Sequence, residues 1–86
     1  MKTTAEAKKM VEAIISAITA KPEVFEVKVN EGEKVAVFEI VPKQNDPVEI
    51  GKIIGRKGRI ARAIKTLVSA AGTKQNKKFI LEINDK

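Results

Sequence analysis

The sequence predicts an α+β domain of order α-β-β-α-α-β, with a three-stranded mixed sheet and three helices on one of its faces. Three observations lead there. The apolar period switches from helical to alternating and back, prolines and glycines stand where it switches, and the chain is 86 residues long. That length makes 1–86 a single domain, and a hydrophobic fraction of 43% is ordinary for a packed one.

Thr3 and Glu6 have the spacing of a capping box, which opens the first helix. Ala7, Met10, Val11, Ile14, Ile15 and Ile18 then recur on one helical face. Lys21-Pro22 is the expected stop, because a residue before proline is pushed out of the helical region. Over residues 24–29, Phe25, Val27 and Val29 alternate with Glu26 and Lys28 as in a half-buried strand. Asn30-Glu31-Gly32-Glu33 reads as the turn, and residues 34–41, apolar on both faces apart from Glu39, as the central strand. Asp46 as N-cap, Pro47 at the first helical position and Glu49 three after the cap start a second helix, which Gly55 stops after about two turns. A third helix opens at Gly58 and Arg59, places Ile60, Ile64, Leu67, Val68 and Ala71 on one side, and is expected to end at Gly72. Residues 77–83 alternate again and make the third strand. The first two strands form an antiparallel hairpin, and the two-helix connection is long enough to bring the third strand in parallel. Ala36, Phe38 and Ile40 are expected to face the helices, leaving Val35, Val37 and Ile80 on the outer face.

Composition narrows the chemistry. With no His and no Cys, the usual zinc ligand sets, His-based triads and disulfides are excluded. With no Trp or Tyr and three Phe, binding does not rest on a platform of stacked aromatics. Scattered carboxylates such as Glu23, Glu26, Glu31 and Glu39 read as solvated, so neither an enzyme, a metal nor a cofactor is expected. No stretch approaches the roughly 18 apolar residues of a membrane span. The charged start lacks the unbroken apolar segment of a signal peptide, so a cytoplasmic location is expected. The net charge of +6 is unevenly spread: residues 50–81 hold nine basic side chains and no acidic one, which points to a polyanionic partner.

The densest signal is Ile50-Gly51-Lys52-Ile53-Ile54-Gly55-Arg56-Lys57-Gly58-Arg59-Ile60. Two helices meet there across a link with glycine at both ends. Gly55 can take positive φ and admit a close approach, and Gly58 leaves the backbone bare. The first amides of the third helix and its dipole favour an anion such as phosphate. Arg56 and Lys57 project outward to flank it, and Ile53, Ile54 and Ile60 are expected to form an apolar floor for bases. A P-loop is excluded, since the spacing from Gly51 to Gly55 is short and no hydroxyl follows Lys57.

This run, continued by Arg59-Ile60-Ala61-Arg62-Ala63-Ile64-Lys65-Thr66-Leu67-Val68, resembles the KH domain. It is most similar to the bacterial single-domain KH proteins of the KhpA (YlqC) family. The likeness extends from the first helix through the Glu-Gly turn to Leu81-Glu82-Ile83. It implies a type II KH fold, with a helix-strand pair before the core. It also implies a clamp on about four nucleotides of single-stranded RNA through the G-x-x-G loop. Carried over by position, Gly55, Arg56, Lys57 and Gly58 hold the backbone, Ile53, Ile54 and Ile60 line the groove, and Lys52, Arg59 and Arg62 complete the RNA-binding set. The resemblance further implies a post-transcriptional regulator or RNA chaperone. It would act as a homodimer or as a heterodimer with a larger KhpB-like KH protein. The alternative is a KH-fold protein–protein adaptor that binds no nucleic acid, which a loop lacking basic residues would mark.

Overall fold

The computed structural model describes residues 3–84. Its elements are α1 (Thr3–Ile18), a single 3₁₀ turn (Pro22–Val24), β1 (Phe25–Glu31), β2 (Val35–Pro42), α2 (Pro47–Ile54), a second such turn (Arg56–Gly58), α3 (Arg59–Lys74) and β3 (Lys78–Ile83). The sheet is mixed, in the order β1-β2-β3. β1 and β2 run antiparallel, with Phe25 opposite Pro42 and Glu31 opposite Ala36. β2 and β3 run parallel, from Val35 beside Lys78 to Ile40 beside Ile83.

Burial follows the strand period. Phe25, Val27, Ala36, Phe38, Ile40, Phe79 and Leu81 turn inward, against Ala7, Val11 and Ile15 of α1 and Ile64 and Val68 of α3. Burying each large side chain of this set favours folding by about 1.5–3 kcal/mol. The Phe38 and Phe79 rings sit 5.0 Å apart and tilted by 58°, a geometry that adds about 1 kcal/mol to their area term. Ile50 and Ile53 anchor the short α2 in the same core. On the outer face Val35 is exposed, and Val37 and Ile80 are half-buried.

Several boundaries move, each for a local reason. The capping role expected of Thr3 falls on a side chain outside the described residues. α1 ends at Ile18, short of Lys21-Pro22: the Thr19 N–H closes the last helical turn onto the Ile15 carbonyl at 3.0 Å, and the Thr19 hydroxyl bonds the same oxygen at 2.6 Å, a local bond that competes with further helix. The hairpin reverses at Glu33-Lys34, later than expected, since the Gly32 N–H closes onto the Val35 carbonyl at 2.7 Å and β1 runs on through Asn30 and Glu31. β2 can end in proline because the Lys43 N–H donates to the Val24 carbonyl. Bonded and non-bonded pairs alternate, so the next pair, Phe25 with Pro42, needs no N–H from Pro42.

α3 does not end at Gly72 but continues to Lys74. Gly72 is buried in its last turns, and a Cβ there would lie 2.4 Å from the Lys77 carbonyl oxygen and 2.7 Å from the Phe79 ring. This glycine lets helix and strand touch; it is not a stop. Among the described residues, no helix is long and apolar enough to cross a membrane.

Candidate nucleic-acid interface

α2 is set by its ends. Asp46 Oδ1 accepts the Glu49 N–H at 3.2 Å, and Pro47 occupies the first turn. At the other end the Gly55 N–H still donates to the Gly51 carbonyl at 2.8 Å, while its φ of 74° and ψ of 176° turn the chain out of the helix. That region is essentially closed to residues with a Cβ. The space beside Gly55, expected to admit a ligand, is filled from within. A Cβ there would fall 2.5 Å from Ile60 Cγ1. Glycine at 55 is therefore required twice, by its dihedrals and by the isoleucine folded over it.

The link beyond it is a tight left-handed turn. Lys57 (φ 56°, ψ 29°) and Gly58 (φ 74°, ψ 16°) are both left-handed. Lysine in that conformation costs about 1–2 kcal/mol. Turns of this tight kind can aim successive amides to one side and make a concavity that suits an anion. The Gly58 N–H donates to the Gly55 carbonyl at 3.2 Å, and the Arg59 N–H donates to that of Arg56. The first amide of α3, expected to be open to an anion, is thus already engaged. Gly58 is the open side, for a Cβ there would meet only Arg62 Nη1, at 3.7 Å.

The side chains sort into three groups. Arg56, Lys57, Arg59 and Arg62 are exposed, and among the described residues none of them is in an ion pair. Ile54 is half-buried, and Ile60 keeps 36% of its surface exposed. Ile53 is not part of any groove: it has no exposed surface and belongs to the core, so it supports α2 from beneath. Lys52 differs from the other cations. Its ammonium lies 3.0 Å from Glu49 Oε2.

Glu49 was legible as a capping residue but does something else. Its carboxylate is buried, with Oε1 accepting the Lys21 N–H at 2.9 Å and Oε2 the Lys52 ammonium. Those two bonds, the Lys21 amide first, hold it below the usual carboxylate range against the opposing effect of burial. The three-residue spacing of Glu49 and Lys52 was the available signal for the pair; nothing in the sequence pointed to Lys21. Hollows of 440 Å³ between α1 and β1 and of 430 Å³ on the outer sheet face contain none of the link residues. An anion at the link would be held on an open surface.

Comparison with known proteins places this geometry in a family. Residues 8–83 match the family model described as KhpA/KhpB, KH domain. The chain is 43% identical over 76 residues to the RNA-binding protein KhpA of Borreliella burgdorferi, covering 88% of this chain and 89% of that protein. It is 45% identical over 78 residues to the RNA-binding protein KhpA of Clostridium perfringens, covering 88% and 97%. With the RNA-binding protein KhpA of Aquifex aeolicus it shares 51% identity over 53 residues, 62% of this chain and 63% of that one. No solved structure matches. The chain belongs to the KhpA/KhpB family of KH domains.

Proposed function

We propose that this chain binds single-stranded RNA and grips its backbone at the Gly55-Arg56-Lys57-Gly58 link, with Arg59 and Arg62 alongside on α3 and the exposed part of Ile60 and Ile54 beneath a base. RNA binding is the activity in the names of its relatives. The observation that carries the clamp is the left-handed turn itself. Two exposed cations, without an ion-pair partner among the described residues, flank one tight turn whose backbone is bare at Gly58, and a phosphate suits both. The role is binding, not catalysis. A type II KH fold orders the same elements, and a post-transcriptional regulator or RNA chaperone in the cytoplasm is the task that fits them.

A clamp of about four nucleotides binds weakly alone, so the protein is expected to work as a pair, either with itself or with a larger KH-containing partner of the KhpB kind. Pairing raises the effective concentration of the second contact. Ile60 and Leu67, exposed one heptad apart on α3, and Val35 on the sheet offer apolar surface for it.

The test is the double variant Arg56→Asp/Lys57→Asp against a labelled single-stranded oligouridylate. Both side chains are exposed, and Asp tolerates the left-handed conformation of position 57 better than Lys, so stability should hold or rise by up to about 1 kcal/mol while binding is lost. Unaltered binding by the double variant would place the clamp elsewhere. Binding lost through unfolding, read from the melting curve, would remove the claim that these side chains act on RNA alone.

A further inference from the structure

Most cations of the acid-free segment are left unpaired, but one is held by a buried carboxylate that no RNA contact requires. Glu49 is 3% exposed. In a capping box its side chain would return to the amide of its own N-cap residue; here it reaches across to the Lys21 N–H at 2.9 Å and takes the Lys52 ammonium at 3.0 Å. The Lys52 side chain is 39% exposed, enough to meet solvent and ligand. Its ammonium nevertheless lies over the turn N-terminal to its own Cα, which is where helical side chains lean. The clamp begins one turn the other way, at Gly55.

We infer that Glu49 withholds Lys52 from RNA, so that the affinity of the clamp is set by this pair as well as by the cations that touch phosphate. This rests on the clamp reading above. Glu49 cannot follow Lys52 toward a phosphate, because the Lys21 amide and the surrounding core fix its position. If Lys52 swung to the RNA, a buried carboxylate would lose its cation, which is unfavourable. While the pair persists, the carboxylate cancels the ammonium's field, and binding RNA releases no counterion on account of Lys52. The consequence is a clamp that holds fewer phosphates than its count of basic residues implies and lets go more readily.

The experiment measures affinity for a labelled single-stranded oligouridylate across a salt series, in the whole chain. Each phosphate neutralised on a single strand contributes about 0.7 to the log–log salt slope, or roughly threefold in affinity between about 50 and 200 mM salt. Lys57→Gln should therefore flatten the slope by about 0.7 and weaken binding, about threefold more at 50 than at 200 mM salt. Lys52→Gln alone bares the Glu49 carboxylate and weakens binding whether or not Lys52 meets RNA. The informative variant is therefore the neutral pair Glu49→Gln/Lys52→Gln, which should bind within about twofold of the parent with an unaltered slope. Glu49→Gln keeps an oxygen for the Lys21 amide and frees the ammonium. It should tighten binding, about threefold more at 50 than at 200 mM salt, and steepen the slope by about 0.7, and adding Lys52→Gln should cancel both. A purely structural role for Glu49 would move the melting temperature but not steepen the slope.

Glu49→Gln/Lys52→Gln, which leaves no buried charge unpaired, weakening RNA binding as much as Lys57→Gln overturns the inference, and it decides the matter alone should Glu49→Gln fail to fold. If that occurs while Arg56→Asp/Lys57→Asp abolishes binding, the clamp stands and only the withheld lysine falls. If Arg56→Asp/Lys57→Asp binds like the parent, both fall.

Discussion

Helix α3 leaves a left-handed residue beside each of its ends, and lysines stand in both turns. At its start Lys57 and Gly58 are left-handed, the exposed Arg56, Lys57, Arg59 and Arg62 have no acidic partner among the described residues, and an added Cβ at Gly58 would meet almost nothing. At its end Asn76 takes the left-handed turn, Lys77 pairs with Glu31, and Gly72 is pressed against the Lys77 backbone. Thr4 of α1 donates to the same Glu31 at 2.9 Å, so this end ties helix, hairpin and third strand together. The difference teaches how to separate architecture from function in a small basic domain. Where a turn holds the fold, its charges are paired and its glycine is packed. At the open end the cations have no ion-pair partner among the described residues, as a turn proposed to receive a ligand requires.

The comparison breaks most visibly at the packed end. Gly72→Ala would put a methyl group 2.4 Å from a carbonyl oxygen and 2.8 Å from the Phe79 amide nitrogen. Backbone cannot give way cheaply, so the gain in helix propensity is outweighed. Stability should drop by about 3 kcal/mol, which for a domain this size lowers the melting temperature by roughly 10–20 °C. A melting temperature within error of the parent would show that α3 and β3 are not in the contact described.

At the open end the two glycines should part company. Gly55→Ala meets both the forbidden dihedrals and Ile60, and should cost about 2 kcal/mol and RNA binding as well. Gly58→Asn places a residue that tolerates the left-handed region into open space, costing less than about 1 kcal/mol. It should still weaken RNA binding, since its side chain stands where the backbone was bare. Thermal melts and anisotropy on the same samples separate these effects; equal destabilisation at both positions would erase the distinction.

The smallest effect is that of acid. Glu31, through Lys77 and then Thr4, and Glu49, through the Lys21 amide and then Lys52, are both held below their ordinary value of 4.5 in the folded chain. A depressed carboxylate stabilises the fold above its unfolded pKa and loses that contribution as pH falls through its folded one. The melting temperature should therefore be flat from neutral pH down to about 5 and decline below 4.5. Glu31→Gln should make that decline shallower. An unaltered acid limb in that variant would mean the Lys77 pair does not form.

Much of this was readable in the residues because it depends on local period. The strand alternation around Val27, Phe38 and Leu81, the Asp46-Pro47 helix start and the Gly55 helix stop each follow from a few neighbouring side chains. What was not readable depends on contacts distant in sequence. Gly72 has the look of a helix stop until β3 is seen lying against it. Glu49 reads as a cap until the Lys21 amide, 28 residues away, is found on its carboxylate. Ile53 and Ile54 are adjacent in one apolar run, yet only the sheet and α3 decide that the first is core and the second half-exposed. The site itself was legible in outline as a glycine-bounded basic link. Its left-handed lysine was not, because a lysine in that conformation is held there by the turn, not by any preference of its own.

The central claim is that RNA is held at the unpaired turn and nowhere else on the basic half. Backbone amide NMR during titration with single-stranded oligouridylate reads this residue by residue. The account predicts shifts concentrated from Ile54 to Arg62, largest at the Arg56 and Lys57 amides, with Lys74, Lys77 and Lys78 at the far end of α3 nearly still. Shifts of equal size at both ends of the helix would contradict it, and would mean that RNA coats the positive surface without using the turn.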